Sequence, residues 1–177
     1  MEPEFRFCKS ADGTEIGYAM LGEGPPLVVV FPCAGEFELA WAIPGGREWC
    51  MGLARGRTVV WFDRRGAGLS QRDVVDFTLE AELADLEAVV KAEALDRFDL
   101  LTAYDSCSIA VAYAAAQPER VGRLVLWGPF ARGVDFRAAA SVKAITDLAR
   151  GPGWSIARRS VADTIMPSGP PKQSGPS

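Results

Sequence analysis

Asp99-Leu100-Leu101-Thr102-Ala103-Tyr104-Asp105-Ser106-Cys107-Ser108 leads into the alanine-rich run Ile109 to Gln117, and Pro118-Glu119-Arg120-Val121 closes it. Asp99 to Ala103 reads as a strand, with apolar Leu100 and Leu101 at its centre. Ile109 to Gln117 reads as a helix packed hard against a sheet, since alanine is the best helix former and lets backbones approach. Pro118 supports the helix end. A strand that turns over a few residues straight into a helix is the repeating unit of an α/β sheet.

The same pattern extends outward in both directions. Leu27 to Phe31, Thr58 to Phe62 and Arg123 to Trp127 read as strands buried on both faces, as parallel strands are. Phe5 to Ser10 and Glu15 to Leu21, joined through Asp12-Gly13, read as an antiparallel hairpin. Between the strands, Leu79, Leu83, Leu86 and Val90 recur at helical spacing, flanked by Glu80, Glu82, Asp85 and Glu87, which are expected to form a solvated face. One more short helix is expected within Trp41 to Leu53, starting after Pro44-Gly45-Gly46. The fold class is therefore α/β: a mostly parallel sheet with an N-terminal antiparallel hairpin. No strand is expected after Phe130. Residues 1–133 form the core, 134–165 a helical, cap-like segment, and 166–177 a disordered tail rich in Pro, Ser and Gly.

Composition narrows the chemistry. The chain has 177 residues, nearly half of them hydrophobic, with 19 basic and 23 acidic residues and a net charge of −4. That balance gives no electrostatic footprint for nucleic acid or an anionic membrane. The longest clean apolar run, Leu27 to Phe31, is far too short to span a bilayer. The N-terminus lacks the basic and apolar regions of a signal peptide, so a cytoplasmic location is expected. Cys8, Cys33, Cys50 and Cys107 form no C-x-x-C pair and are expected to be buried, reduced thiols. Histidine is absent, which removes the commonest metal ligand and the commonest general base together. No G-x-G-x-x-G stands between a strand and a helix, and no cofactor or metal is expected.

The order strand, turn, helix, Pro-Glu-Arg-Val resembles the nucleophile elbow of α/β-hydrolases. Asp63-Arg64-Arg65-Gly66-Ala67-Gly68-Leu69-Ser70 resembles that family's D-x-R-G-x-G-x-S turn, and Phe31-Pro32-Cys33-Ala34-Gly35 sits where its oxyanion loop lies. The opening Asp12-Gly13-Thr14-Glu15-Ile16-Gly17-Tyr18 and the "FDRRGAGLS" turn are most similar to hydrolase-type domains found with bacterial adenylate cyclases and helix-turn-helix regulators. The resemblance covers about residues 5 to 133 and implies the N-terminal part of the fold. Aligned without gaps from Pro118, it puts Tyr104 in the nucleophile position, with Thr102 and Ser106 on the two glycines of G-x-S-x-G. It also puts Ala34 and Asp105 on the positions whose backbone N–H groups form the oxyanion hole. Their donors need no particular side chain, although the Asp105 carboxylate would repel an oxyanion.

Tyr104 departs from that family's pattern, because tyrosine is not the family's acyl-transfer nucleophile. With no histidine to act as base, the triad chemistry implied by the resemblance is incomplete. Ser106 is the alternative nucleophile, against its reading as a helix cap. Cys107 is expected to pack on the first helical turn. Asp63 and Arg65 are expected to stabilise their turn. Trp127, Phe130, Phe136 and Trp154 are read as packing residues before pocket walls.

Three functional readings stay open. The first is a degenerate or partial hydrolase-like protein that binds a small apolar or ester-like ligand or plays a regulatory role. The second is a hydrolase of esters or other acyl compounds with a non-standard nucleophile. The third is a truncated, non-functional product. Self-association through an exposed sheet edge is expected in addition.

Overall fold

The computed structural model describes residues 1–32 and 36–130, and residues 132, 133, 143 and 147 singly. Apart from those single positions, the expected helical segment 134–165 and tail 166–177 lie outside the described residues. The strands are β1 (Glu4–Lys9), β2 (Glu15–Leu21), β3 (Pro26–Val30), β4 (Thr58–Phe62), β5 (Phe98–Ala103) and β6 (Val121–Trp127). The helices are α1 (Phe37–Ala42), α2 (Gly46–Leu53), α3 (Leu79–Ala92) and α4 (Cys107–Ala116).

The strands form one six-stranded sheet in the order β1-β2-β4-β3-β5-β6. β1 and β2 pair antiparallel, and β2 pairs antiparallel with β4. β4, β3, β5 and β6 run parallel. This is the expected hairpin followed by a parallel sheet. The strand bounds differ slightly: β3 begins and ends one residue earlier than expected, and β6 begins at Val121. Its early start places Val121 opposite Phe98, whose backbone N–H donates to the Arg120 carbonyl at 2.9 Å.

Alternation along the strands divides the core into two. Val28, Val30, Val60, Phe62 and Leu100 face α3 and α4, where they pack with Leu86, Val89, Val90, Ile109 and Tyr113. Leu27, Val29, Val59, Trp61 and Leu101 face the other way, toward Phe37 and Ala40 of α1 and Cys50 of α2. β3, β4 and β5 are buried on both sides, which is why they read as continuous apolar runs. β6, expected to be buried on both faces, is instead mostly exposed, because it is the outermost strand of the sheet. Phe31, Phe37, Trp49 and Trp61 make edge-on and stacked ring contacts at 4.9–5.7 Å on the α1 side.

Helix α3 requires a correction. Glu80 is exposed, but Glu82 and Asp85 are buried and Glu87 is half-buried. The acidic face is not solvated because arginines reach it from elsewhere. The Arg65 guanidinium donates to both Asp85 oxygens at 2.7 Å. Arg120 and the Tyr113 hydroxyl donate to Glu87. Leu79, expected at the start of the apolar stripe, is partly exposed. Thr78 caps the helix by accepting from the Ala81 N–H at 3.3 Å, and its extended backbone is the normal N-cap conformation. Among the described residues no helix is long and apolar enough to cross a membrane.

Candidate active site

The sheet changes direction at β3. Its neighbour on one side is β4, the next strand in sequence, and on the other side β5, the strand after that. Connections leave such a switch point toward opposite faces, and a crevice opens at the carboxyl ends of the two strands, where α/β proteins bind ligands. Phe31 follows β3 there, and Tyr104 follows β5.

Ala103 at the end of β5 is extended (φ −135°, ψ 146°). Tyr104 then turns to φ +52°, a left-handed conformation that a bulky residue adopts only when its surroundings enforce it. Tyr104 to Ser106 make a single 3-10 turn that continues into α4 at Cys107. The half-buried Tyr104 ring lies against the end of β6. A Cβ on Gly128 would sit 3.0 Å from Tyr104 Cε1, and Gly128 itself has φ +63°. Glycine is thus needed at 128 for both space and backbone.

Ser106 does not cap the helix. Its backbone is already helical (φ −65°, ψ −17°) and its side chain makes no cap hydrogen bond. The helical path starts one turn earlier, at Tyr104, so the extended conformation of an N-cap falls on Ala103, which has no side-chain acceptor. Ser106 is fully buried, and its Oγ has no hydrogen-bond partner. The neighbouring hydroxyl, Ser108 Oγ, donates to the Asp105 carbonyl at 2.8 Å. Cys107 is buried on the first turn of α4, with its sulfur 3.5 Å from Thr102 Oγ1. Burial pushes the Cys8 and Cys50 thiols up to about 11, so both stay protonated at neutral pH.

The turn after β4 braces the elbow. Arg64 Nη1 donates to Asp105 Oδ2 at 2.6 Å, and its Nε donates to Glu82 Oε1 at 2.9 Å. The Asp105 carboxylate, read from the sequence as a source of repulsion toward an oxyanion, is therefore paired with a guanidinium. Burial raises the Glu82 pKa, opposed by Arg64. Asp63 and Arg65 do not bind each other. Asp63 accepts from the backbone N–H of Phe37 at 3.0 Å and of Leu69 at 2.9 Å, tying α1 to the turn. A Cβ on Gly68 would lie 2.0 Å from Asp63 Oδ2, which explains the glycine.

The structure thus brings Tyr104, Asp105 and Arg64 together at the switch point and buries Ser106 on the same turn. Ala34 lies outside the described residues, as do Cys33, Phe136 and Trp154. Sequence reasoning did not find Arg64. Its only sequence signal is the doubled arginine at 64–65. Trp127, at the end of β6, is half exposed, with its ring centroid 6.4 Å from that of Phe31.

No family model matches the chain. It is 34% identical over 136 residues to a 2-hydroxy-6-oxo-2,4-heptadienoate hydrolase of Pseudomonas putida, covering 76% of this chain and 48% of that protein. It is 27% identical over 144 residues to a pyrrolizixenacetamide deacetylase of Xenorhabdus hominickii, covering 81% of this chain and 52% of the relative. Among solved structures, an esterase from Rhodococcus sp. ECU1013 superposes with a TM-score of 0.74 at 24% identity, over 90% of this chain and 60% of the esterase. The chain has the α/β-hydrolase fold over the part of these relatives that it matches. An epoxide hydrolase mutant from Vigna radiata agrees on the fold, with a TM-score of 0.67 at 20% identity over 90% of this chain and 52% of that one. The chain spans about half the length of the curated relatives it matches.

Proposed function

We propose that this chain is a catalytically degenerate α/β-hydrolase-fold protein that binds a small apolar or ester-like ligand in the crevice above Tyr104. The observation that carries the reading is the strained backbone of Tyr104 at the carboxyl end of β5. In the fold's hydrolases that turn exists to present a serine to a base. Here it presents a phenol, and none of the 177 residues is a histidine that could activate a hydroxyl. Ser106 is a poor substitute, since a fully buried hydroxyl offers no access to a substrate carbonyl. The half-exposed indole of Trp127, backed by the buried ring of Phe31, supplies an apolar surface at this end of the sheet, and the Arg64–Asp105 pair supplies polar groups beside it. A mostly apolar cleft with few polar groups is the usual form of a small-molecule site. The relatives' names, hydrolase, deacetylase and esterase, point to carbonyl-containing ligands.

The test combines turnover with binding. The purified chain is expected to hydrolyse a p-nitrophenyl ester no faster than a buffer blank and to take up no serine-directed phosphonate. The same ester is expected to quench tryptophan fluorescence saturably, with at least fivefold weaker binding in Trp127→Ala. A stoichiometric phosphonate label on Ser106, abolished by Ser106→Ala, would make the protein an enzyme and overturn the proposal. So would a complete lack of saturable quenching.

A further inference from the structure

The opposite end of the sheet holds a second cleft, of about 380 Å³, lined by Gly56, Arg57, Arg97, Asp99, Gly122 and Arg123. These residues sit where β4, β5 and β6 begin. Along β5 the cleft is separated from Tyr104 by five residues, roughly 16 Å of strand. Its volume falls within the ~300–1,000 Å³ range of small-molecule sites.

An irregularity in the sheet builds it. Phe98 pairs with Val121, but Leu100 pairs with Leu124. Gly122 and Arg123 therefore stand together opposite Asp99, which makes a β-bulge on β6. A bulge bends its strand and re-aims a side chain. Here it brings the Arg123 guanidinium to 3.9 Å from Asp99 Oδ2, the oxygen that already accepts from Arg57 Nη1 at 2.7 Å. Gly122 is the floor. A Cβ there would lie 2.9 Å from Asp99 Oδ1 and 3.5 Å from Arg97 Nε, so its lack of a side chain is what lets these groups close over the bulge.

We infer that this cleft binds the phosphate group of a small phosphorylated molecule or of free phosphate. Three arginines and one carboxylate line the cleft, which leaves two positive charges in excess on a chain whose net charge is −4. Asp99 neutralises one arginine and orients it, and the others keep unused donors. A phosphate monoester carries about −1.5 to −2 at pH 7, which matches that excess, whereas a single carboxylate does not. Guanidiniums also present paired donors that fit phosphate oxygens bidentately. The exposed guanidiniums of Arg97 and Arg123 at the mouth give the anion entry from solvent.

The experiment is calorimetric titration of the full chain with phenyl phosphate and with inorganic phosphate at fixed ionic strength. Arg97→Gln with Arg123→Gln removes the excess charge and leaves the Arg57–Asp99 pair in place. Lys9→Gln with Arg72→Gln removes the same charge elsewhere. Saturable binding is expected that weakens at least tenfold in the first double variant and changes less than twofold in the second. Circular dichroism of both variants confirms that they fold. Tighter binding of phenyl phosphate assigns the site to a monoester, and equal binding of the two probes assigns it to the free ion. No saturable binding of either probe up to 10 mM, or equal weakening in both double variants, overturns the inference.

Discussion

Ser106 shows how far a residue's role can differ from its sequence context. A serine beside the start of a helix reads as a cap, yet its hydroxyl is buried and unpaired. A hydroxyl buried without a partner costs about 1–3 kcal/mol. Ser106→Ala removes that hydroxyl and leaves a cavity smaller than a methyl group. The variant is therefore expected to be as stable as the natural chain, or more stable by up to ~1 kcal/mol, in urea denaturation. A loss of more than ~1 kcal/mol would mean that the hydroxyl is hydrogen-bonded and stabilising, against this reading. The position of Tyr104 was legible because Pro118-Glu119-Arg120-Val121 fixes the register of the preceding helix. The Arg64 bridge was not legible, because its partners Glu82 and Asp105 stand 18 and 41 residues away in the chain. Local periodicity carries no information about such contacts.

Elements are held to one another here by buried charge as well as by apolar packing. Arg65, 1% exposed, joins Asp85 of α3, Asp12 of the hairpin turn and the carbonyls of Asp76 and Ala81. One guanidinium thus fixes the β1–β2 turn, the loop after β4 and the first turns of α3. Removing one partner of a buried pair typically costs about 3–5 kcal/mol, because the other charge stays behind without compensation. Arg65→Leu is expected to lose at least ~3 kcal/mol in denaturant melts, and Asp85→Leu in the same background should cost much less than it does alone. Additive losses would show that the two side chains act independently. The strands and the two long helices were readable from the sequence, since buried parallel strands and an alanine-rich helix leave strong local patterns. Helix α1 was not, because six residues, Phe37 to Ala42, span too few turns to show a period. The acidic stripe of α3 was misread for a related reason: spacing reveals a face, but only the three-dimensional neighbours decide whether that face meets water or arginine.

At the scale of the whole molecule, the sheet is covered unevenly. β2 to β5 are buried on both faces, but β6 is exposed along most of its length, with Leu124, Val125 and Trp127 at 37%, 49% and 50%. It pairs only with β5, so its outer row of backbone N–H and C=O groups has no strand beside it among the described residues. Arg123 is the one charged residue of β6, and it leans toward Asp99. Protected edges normally carry lysines or prolines, and an apolar edge strand without them invites pairing with another chain. The chain is therefore expected to self-associate through β6. Light scattering coupled to size exclusion should show a mass that rises with loading concentration between ~5 and ~100 μM. Val125→Lys, which puts a charge on the exposed strand, should return it to a monomer. A natural chain that stays monomeric across that range, with one cooperative transition and a stability within ~5–15 kcal/mol, would show that the edge is protected.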